Sequence, residues 1–121
     1  MTAITDSVVV IDSHSLENES KGIRFAIPAL GEFATGFVIR YEGKPYAYVN
    51  QCAHVPIELD WNQGEFFTTE KDFLICATHG AHYLPDTGYC VVGPCKGKQL
   101  KSIPLEEVDG KIIINIATLL K

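Results

Sequence analysis

Four residues that can bind a metal fall in two short pairs along the chain. Cys52 and His54 are separated by one residue, and Cys76 and His79 by two. Spacings this short let a single loop direct both side chains of a pair to one point. Two thiolates and two imidazoles suit a tetrahedral zinc site. They equally suit a two-iron, two-sulfur cluster with cysteines on one iron and histidines on the other.

The elements that position these pairs are predicted to be β-strands. Short apolar or alternating segments, separated by turn residues, predict strands at 7–11, 23–27, 33–41, 46–49, 72–76, 89–92, 105–108 and 111–116. The strands at 46–49 and 72–76 lead directly into the two pairs. Asp109-Gly110 predicts a tight hairpin turn, and only 117–120 has a weak helical pattern. The predicted fold class is therefore all-β.

Size and charge restrict the possible functions. The 121 residues, 46% hydrophobic and 21% charged, predict a single domain over 1–121 whose core forms without help from a metal. Ten basic and fifteen acidic residues give a formal charge of −5. Such a chain has no basic stripe for nucleic acid, so a nucleic-acid partner is not expected. An acidic surface favours association with a basic patch on a protein partner.

Neither a membrane span nor an export signal is predicted. The longest apolar runs, at 8–11 and 112–114, are of strand length. The first residues lack a basic segment followed by an apolar stretch. Four cysteines, two of them in the metal-binding pairs, form a poor disulfide framework, so a cytoplasmic location is expected.

The pairs and the residues that follow them resemble the Rieske family. The matching segments are Cys52-Ala53-His54, Cys76-Ala77-Thr78-His79-Gly80, Tyr83, Thr87-Gly88 and Gly93-Pro94. The resemblance covers about residues 40–105. It implies a Rieske iron–sulfur fold of antiparallel sheets, with a small cluster-binding subdomain at about residues 50–95.

The resemblance also implies a role for each matching residue. Cys52 and Cys76 would ligate one iron of a [2Fe-2S] cluster, and His54 and His79 the other. Gly80 would allow close backbone approach to this cluster and offer its amide to the sulfides. Tyr83 would donate a hydrogen bond to a cysteine sulfur. Gly93-Pro94 would cover the site. Two neutral imidazoles in place of two thiolates raise the reduction potential into the range of roughly −150 to +300 mV.

Three further positions point to the lower part of that range. High-potential members of the family carry a serine after the His-Gly pair, where this chain has Ala81. They also link the two cluster loops by a disulfide, where this chain has Ile57 and Thr78. The resemblance is therefore to the soluble, low-potential ferredoxins.

The expected function is one-electron transfer from a flavin reductase to a terminal oxygenase, without catalysis by this chain. A catalytic iron held by two histidines and a carboxylate would have only His14 and His82 available. Two alternatives remain open: a zinc-stabilised interaction module, and a regulatory module whose cluster state controls partner binding.

Several other residues receive simpler interpretations. His14 and His82 are expected to be surface histidines, and Cys90 and Cys95 buried thiols. The acidic and aromatic segment 55–75 is longer than expected between the two pairs. It suits a partner-docking surface or, more simply, a solvated hairpin.

Overall fold

The fold consists almost entirely of antiparallel β-strands, as the sequence predicts. The computed structural model describes residues 2–4 (backbone only), 8–17, 21–27, 34–51, 59, 65–68, 73–76, 80–93 and 97–116. The strands are β1 (Thr2–Ile4), β2 (Val8–Asp12), β3 (Ile23–Ala26), β4 (Thr35–Tyr41), β5 (Lys44–Val49), β6 (Leu74–Ile75), β7 (His82–Tyr83), β8 (Cys90–Val92), β9 (Ser102–Ile103), β10 (Leu105–Val108) and β11 (Lys111–Asn115). A 3-10 turn spans Ser13–Ser15.

One sheet, sheet A, joins strands from both ends of the described chain in the order β1-β2-β11-β10. The β10–β11 hairpin turns at Asp109 and Gly110, as predicted, and both residues have positive φ, at 51° and 74°. Two consecutive positive φ values are typical of the turn that fits the twist of paired strands. Along β2 and β11 the residues alternate between buried and half-buried or exposed, which is the pattern of a sheet covered on one face.

A second sheet, sheet B, has the order β3-β4-β5-β9. It contains the hairpin of β4 and β5, which turns at Glu42 and Gly43 with φ of 50° and 84°. The predicted strand at 33–41 begins at Thr35 in the structure, and Phe33 lies outside the described residues. Strand β9 was not predicted from the sequence, because only two residues pair there.

Sheet B separates two hydrophobic cores. On β4, Phe37 and Ile39 pack into one core, whereas Val38 between them packs into the other. Because successive side chains of a strand point to opposite faces, β4 is buried on both sides and reads as a continuous apolar run. One core lies between sheets A and B and contains Val9, Ile11, Ile112 and Ile114 among others. The other contains Cys76, Ala81, Tyr83 and Cys90 and lies on the side of the predicted metal ligands.

The third sheet, sheet C, has the order β6-β7-β8 with strands of only two or three residues. The strand predicted at 72–76 is limited to Leu74–Ile75, and Asp72 lies outside the described residues. An isolated bridge between Phe67 and Leu74 extends this sheet as a hairpin. Phe66 is fully buried and stacks on Phe37, with ring centroids 3.9 Å apart. In the described part of segment 55–75, Phe66 and Phe67 therefore pack into the core, and whether the rest of the segment forms a docking surface stays a prediction.

Arg40 connects sheet B to sheet A. Its guanidinium donates two hydrogen bonds to the carboxylate of Glu107 on β10 and one from Nε to the carbonyl of Leu16, at 2.8 Å. The hydrogen bond from Arg40 lowers the pKa of Glu107. At the same end of the β10–β11 hairpin, Lys111 forms an exposed ion pair with Asp12 and lowers the pKa of that carboxyl to about 2.

Two expectations fall outside what the structure describes. The predicted helical segment 117–120 is not among the described residues, and the proposed limits of the cluster-binding subdomain stay a prediction. In the part of the chain that is described, no helix has the length and apolar character needed to cross a lipid bilayer.

Candidate metal centre

Of the four predicted ligands, Cys76 lies in the described part of the chain. Cys52, His54 and His79 lie outside it, as does Pro94 of the covering loop. Gly80, Tyr83 and Gly93 are described and can be compared with their predicted roles. The structure also describes the residues that flank each predicted cluster loop, and these flanks determine how the loops are held.

The first loop begins where β5 ends. Asn50 is buried, with 4% of its surface exposed, and its backbone N–H donates to the carbonyl of Thr35 at 2.8 Å. Its side-chain oxygen accepts a hydrogen bond from the backbone N–H of Leu59 at 2.9 Å. Since Asn50 precedes the Cys52–His54 pair and Leu59 follows it, this bond fixes the separation of the two ends of the first loop. Leu59 itself is fully buried in the core.

The second loop is closed by two backbone hydrogen bonds. Cys76 follows β6, is fully buried and is not part of a disulfide. Its N–H donates to the carbonyl of Ala81 at 2.9 Å, and its carbonyl accepts from the N–H of Gly80 at 2.8 Å. These two bonds join the described ends of the segment that contains the predicted ligand His79, which itself lies outside the described residues.

Gly80 has a positive φ angle, and its backbone amide is engaged within the second loop. Its φ of +71° is a conformation that L side chains rarely adopt, which explains a glycine here. However, its amide donates to the carbonyl of Cys76 and is engaged within the loop. The contact of this amide with the cluster sulfides stays a prediction, and in the structure the amide joins the two ends of the second loop.

The Gly93-Pro94 loop approaches the second loop closely. A Cβ atom on Gly93 would lie 2.9 Å from the Cα of Ala81, and Gly93 has a φ of +106°. A larger residue at this position would therefore push the two loops apart. Where this segment returns, the N–H of Cys90 donates to the carbonyl of Lys98 at 2.8 Å. These contacts agree with a loop that covers the turn between Cys76 and Ala81.

Tyr83 and Cys90 lie opposite each other on β7 and β8, and both are fully buried. The thiol of Cys90 donates to the carbonyl of Val92 at 3.3 Å. Cys90 is outside any disulfide, which confirms the prediction of a buried thiol, whereas Cys95 is not among the described residues. Tyr83 shares the core of Cys76, and the sulfur that its hydroxyl would reach stays a prediction.

The Thr87-Gly88 turn is held against β5 by Tyr48. The Tyr48 hydroxyl donates to the carbonyl of Pro85 at 2.8 Å, and a Cβ on Gly88 would lie 2.8 Å from the Tyr48 ring. Burial, and secondarily the charge of Asp86, raises the pKa of Tyr48 above its ordinary value. Tyr48 therefore connects sheet B to the turn between β7 and β8.

The two histidines outside the predicted ligand set have different environments. His14 is exposed in the 3-10 turn, as predicted. His82 is half-buried, and its Nδ1 lies 2.7 Å from the carbonyl oxygen of Gly80, a contact that the sequence does not predict. The ring also meets the edge of Phe73, with centroids 5.8 Å apart.

Two residues that shape this site were not identified from the sequence. The sequence places Asn50 at the end of a strand, where an Asn often caps the loop that follows. Tyr48 was treated as one residue of an alternating strand, and the bond of its hydroxyl to Pro85 depends on a contact 37 positions away.

The one predicted ligand that the structure describes fits a thiolate-bound metal centre. Cys76 is fully buried and outside any disulfide, as is expected of a cysteine that binds a cluster shielded from water. The loops around it are held by backbone and side-chain hydrogen bonds, as is expected of residues that orient metal ligands.

Comparison with known proteins agrees with this geometry. A family model described as the Rieske [2Fe-2S] domain matches residues 6–108. A search of curated proteins gave no match. Among solved structures, the ferredoxin of carbazole 1,9a-dioxygenase from Nocardioides aromaticivorans IC177 is 20% identical with a TM-score of 0.69, and the match covers 91% of this chain and 97% of that one.

Two further solved structures show the same fold. A chain in the complex of reduced oxygenase and oxidised ferredoxin of carbazole 1,9a-dioxygenase is 20% identical, with a TM-score of 0.72 and coverage of 92% of this chain and 94% of that one. The terminal oxygenase of carbazole 1,9a-dioxygenase from Novosphingobium sp. KA1 is 21% identical, with a TM-score of 0.67 and coverage of 87% of this chain but only 28% of the oxygenase chain. At these identities the likeness concerns the fold.

Proposed function

This chain is a member of the Rieske [2Fe-2S] family, and we propose that it acts as a ferredoxin that carries one electron at a time to a terminal oxygenase. The observation that carries the proposal is the family match over residues 6–108 together with a fully buried Cys76 at the start of a closed turn. The similar structures, a ferredoxin and an oxygenase–ferredoxin complex, support the same function.

In this proposal Cys52 and Cys76 hold one iron of the [2Fe-2S] cluster, and His54 and His79 hold the other. When bound, the cluster would accept and release one electron, and the chemistry on the substrate would take place in the oxygenase. The protein keeps the ligands in place: Asn50 ties the ends of the first loop, and the Cys76–Ala81 and Gly80–Cys76 hydrogen bonds close the second.

No part of the described site suits catalysis on a substrate. A mononuclear iron centre needs two histidines and a carboxylate. Outside the proposed ligands the sequence contains only His14 and His82. His14 is exposed in the 3-10 turn, whereas His82 lies on β7 against the second loop. We therefore assign the chain to electron transfer, between a flavin reductase and a terminal oxygenase in the cytoplasm.

The proposed reduction potential lies in the lower part of the Rieske range. Ala81 is fully buried beside the second loop and has no hydroxyl that could donate to a sulfide. Hydrogen bonds to the sulfurs raise the potential of such clusters, so their absence lowers it. A redox titration should give a midpoint below about +200 mV, and a higher value would contradict this part of the proposal.

The first experiment is the visible and EPR spectroscopy of protein purified without oxygen. We expect a coloured protein with two irons and two labile sulfides per chain, and a rhombic EPR signal after reduction with dithionite. A colourless protein that contains zinc would contradict the proposal and favour the zinc-stabilised module.

The ligand assignment is tested with a matched pair of cysteine variants. Cys76→Ser should abolish the EPR signal, whereas Cys90→Ser, at another buried cysteine of the same core, should retain it. His54→Cys should lower the potential or lose the cluster, since a thiolate adds negative charge. Equal loss of cluster in Cys76→Ser and Cys90→Ser would contradict the assignment.

The carrier role is tested by electron transfer in both directions. Stopped-flow absorbance should show reduction of the cluster by a flavin reductase and its reoxidation by the Rieske centre of a terminal oxygenase. A protein that binds these partners more tightly in one redox state, yet exchanges no electrons with them, would support the regulatory alternative instead.

A further inference from the structure

His82 lies beside the second cluster loop without belonging to the proposed ligand set. Its Nδ1 is 2.7 Å from the carbonyl oxygen of Gly80, the residue that directly follows the proposed ligand His79. We propose that His82 is a positioning residue, which fixes the backbone at Gly80 and thereby the direction in which His79 is presented to the cluster. This inference rests on the proposed function, because it takes His79 as a ligand.

The chemistry of the contact defines the state of the ring. A carbonyl oxygen only accepts hydrogen bonds, so Nδ1 of His82 must carry the proton and donate it. In the neutral ring, Nε2 is then without a proton. Because Nδ1 keeps its proton in the charged ring as well, the bond to Gly80 persists in both states of the histidine.

Gly80 is the position in the loop where a hydrogen bond from outside the loop most restricts the backbone conformation. Its φ is +71°, and no atom of the described residues would lie within 4 Å of a Cβ placed there. A glycine in open space has access to more backbone conformations than any other residue. Both of its polar groups are nevertheless engaged, since the N–H donates to Cys76 and the carbonyl accepts from His82. Side-chain packing cannot hold Gly80, so these two hydrogen bonds hold it.

His82 is itself held in place by its strand. It lies on β7, the central strand of sheet C, and pairs with Ile75 on one side and Val92 on the other. Its ring meets Phe73 edge-on at an angle of 70°. A ring fixed by two neighbouring strands and an aromatic contact has little freedom left to lose when it donates to Gly80.

The isosteric variants His82→Asn and His82→Leu separate the hydrogen bond from the shape of the side chain. The amide nitrogen of Asn lies as far from the backbone as Nδ1 of histidine and can donate to Gly80, whereas Leu has the same shape without a donor. His14→Leu, at an exposed histidine, serves as the control. The three variants are compared with the wild type for cluster loss to an iron chelator and for the EPR signal of the reduced protein.

We expect His82→Leu to lose its cluster roughly tenfold faster than the wild type, as for the loss of one hydrogen bond to the loop. Its EPR signal should also broaden, because the orientation of the iron-bound imidazole becomes less uniform. His82→Asn should stay close to the wild type in both respects, as should His14→Leu. Equal behaviour of His82→Asn and His82→Leu would overturn the proposal.

A measurement on the wild type keeps the proposal testable if His82→Leu does not fold. Nitrogen NMR of protein with ¹⁵N-labelled histidine, at a pH where the ring is neutral, should show His82 protonated at Nδ1, and protonation at Nε2 would exclude the bond to Gly80. The two proposals fail separately. A wild type without iron and sulfide contradicts the ferredoxin function, whereas a wild-type EPR signal in His82→Leu contradicts only the positioning by His82.

Discussion

Sheet B contains the longest strands of the fold, β4 with seven residues and β5 with six, whereas the strands of sheet C have two or three. The core between sheets A and B is formed by side chains that alternate along continuous strands. The side of sheet C has a core of its own, but there turns, positive φ angles and hydrogen bonds to loop backbone also hold the structure, as at Gly80, Gly93 and Asn50.

This difference separates stability from the geometry of the site. Strand pairing and apolar burial supply free energy in proportion to area, and small changes in loop position hardly affect them. A few directional hydrogen bonds determine where a ligand points, and each contributes little to the free energy of unfolding. We therefore expect mutations between sheets A and B to change stability without changing the metal centre. Mutations in the cluster loops should change the metal centre more than they change stability.

The largest expected effect is in the core between sheets A and B. Ile112 is fully buried on β11 and lies opposite Ile11 on β2. Ile112→Ala should lower the free energy of unfolding by about 2–5 kcal/mol, because it removes buried methyl groups and leaves a cavity. Denaturant titration measures this loss, and redox titration of the same protein should give the wild-type potential.

The next residue on the strand provides the control for this prediction. Ile113 is only partly buried and points to the opposite face of sheet A. Ile113→Ala should therefore cost clearly less than Ile112→Ala. A potential that shifts in Ile112→Ala would show that the two regions are not independent and would refute the comparison.

We expect substitution of Asn50 to have a smaller effect on stability and a larger effect on the metal centre. Asn50→Leu keeps the size of the side chain but leaves the N–H of Leu59 without its acceptor in a buried position. An unsatisfied buried N–H costs about 1–3 kcal/mol. Because the bond fixes the ends of the first loop, the visible absorbance of the cluster should decay faster in the presence of a chelator.

Gln51→Leu, at the exposed neighbouring position, is the control for Asn50. It should leave both the unfolding midpoint and the rate of cluster loss unchanged. Equal rates of cluster loss in Asn50→Leu and the wild type would mean that the bond to Leu59 does not hold the first loop.

The same comparison explains what the sequence could predict. The long strands and the hairpin at Asp109-Gly110 follow from apolar alternation and from turn residues, which act locally, and the structure confirms this hairpin. The strands of two residues, such as β9, have no pattern of their own. Strand β9 forms because tertiary contacts bring it beside the longer strand β5.

The candidate site shows the same limit. The ligand pairs have a spacing that a sequence displays directly, and Cys76 is buried at the expected place. The partners of Gly80, Asn50 and His82 could not be predicted, because each depends on the three-dimensional path of a loop.

The smallest expected effect is at Tyr48, which connects the two regions through its hydrogen bond to Pro85. Tyr48→Phe removes the hydroxyl and should lower the free energy of unfolding by about 1 kcal/mol at neutral pH. The effect should depend on pH, because burial raises the pKa of Tyr48 from 10.0 in the folded protein. The neutral hydroxyl is therefore favoured by folding. Its contribution is complete below pH 10.0 and is lost as the pH rises from there towards the folded pKa.

Tyr48→Phe should accordingly lose less stability than the wild type between neutral pH and pH 11, so that the two unfolding curves approach each other at alkaline pH. Tyr89→Phe, at an exposed tyrosine, is the control and should change the free energy of unfolding at neutral pH less than Tyr48→Phe does. Thermal unfolding at a series of pH values measures both. A constant difference between Tyr48→Phe and the wild type across this range would show that the Tyr48 hydroxyl does not become harder to ionise on folding. Its hydrogen bond to Pro85 would then be too exposed to water to connect sheet B with the turn at Thr87-Gly88.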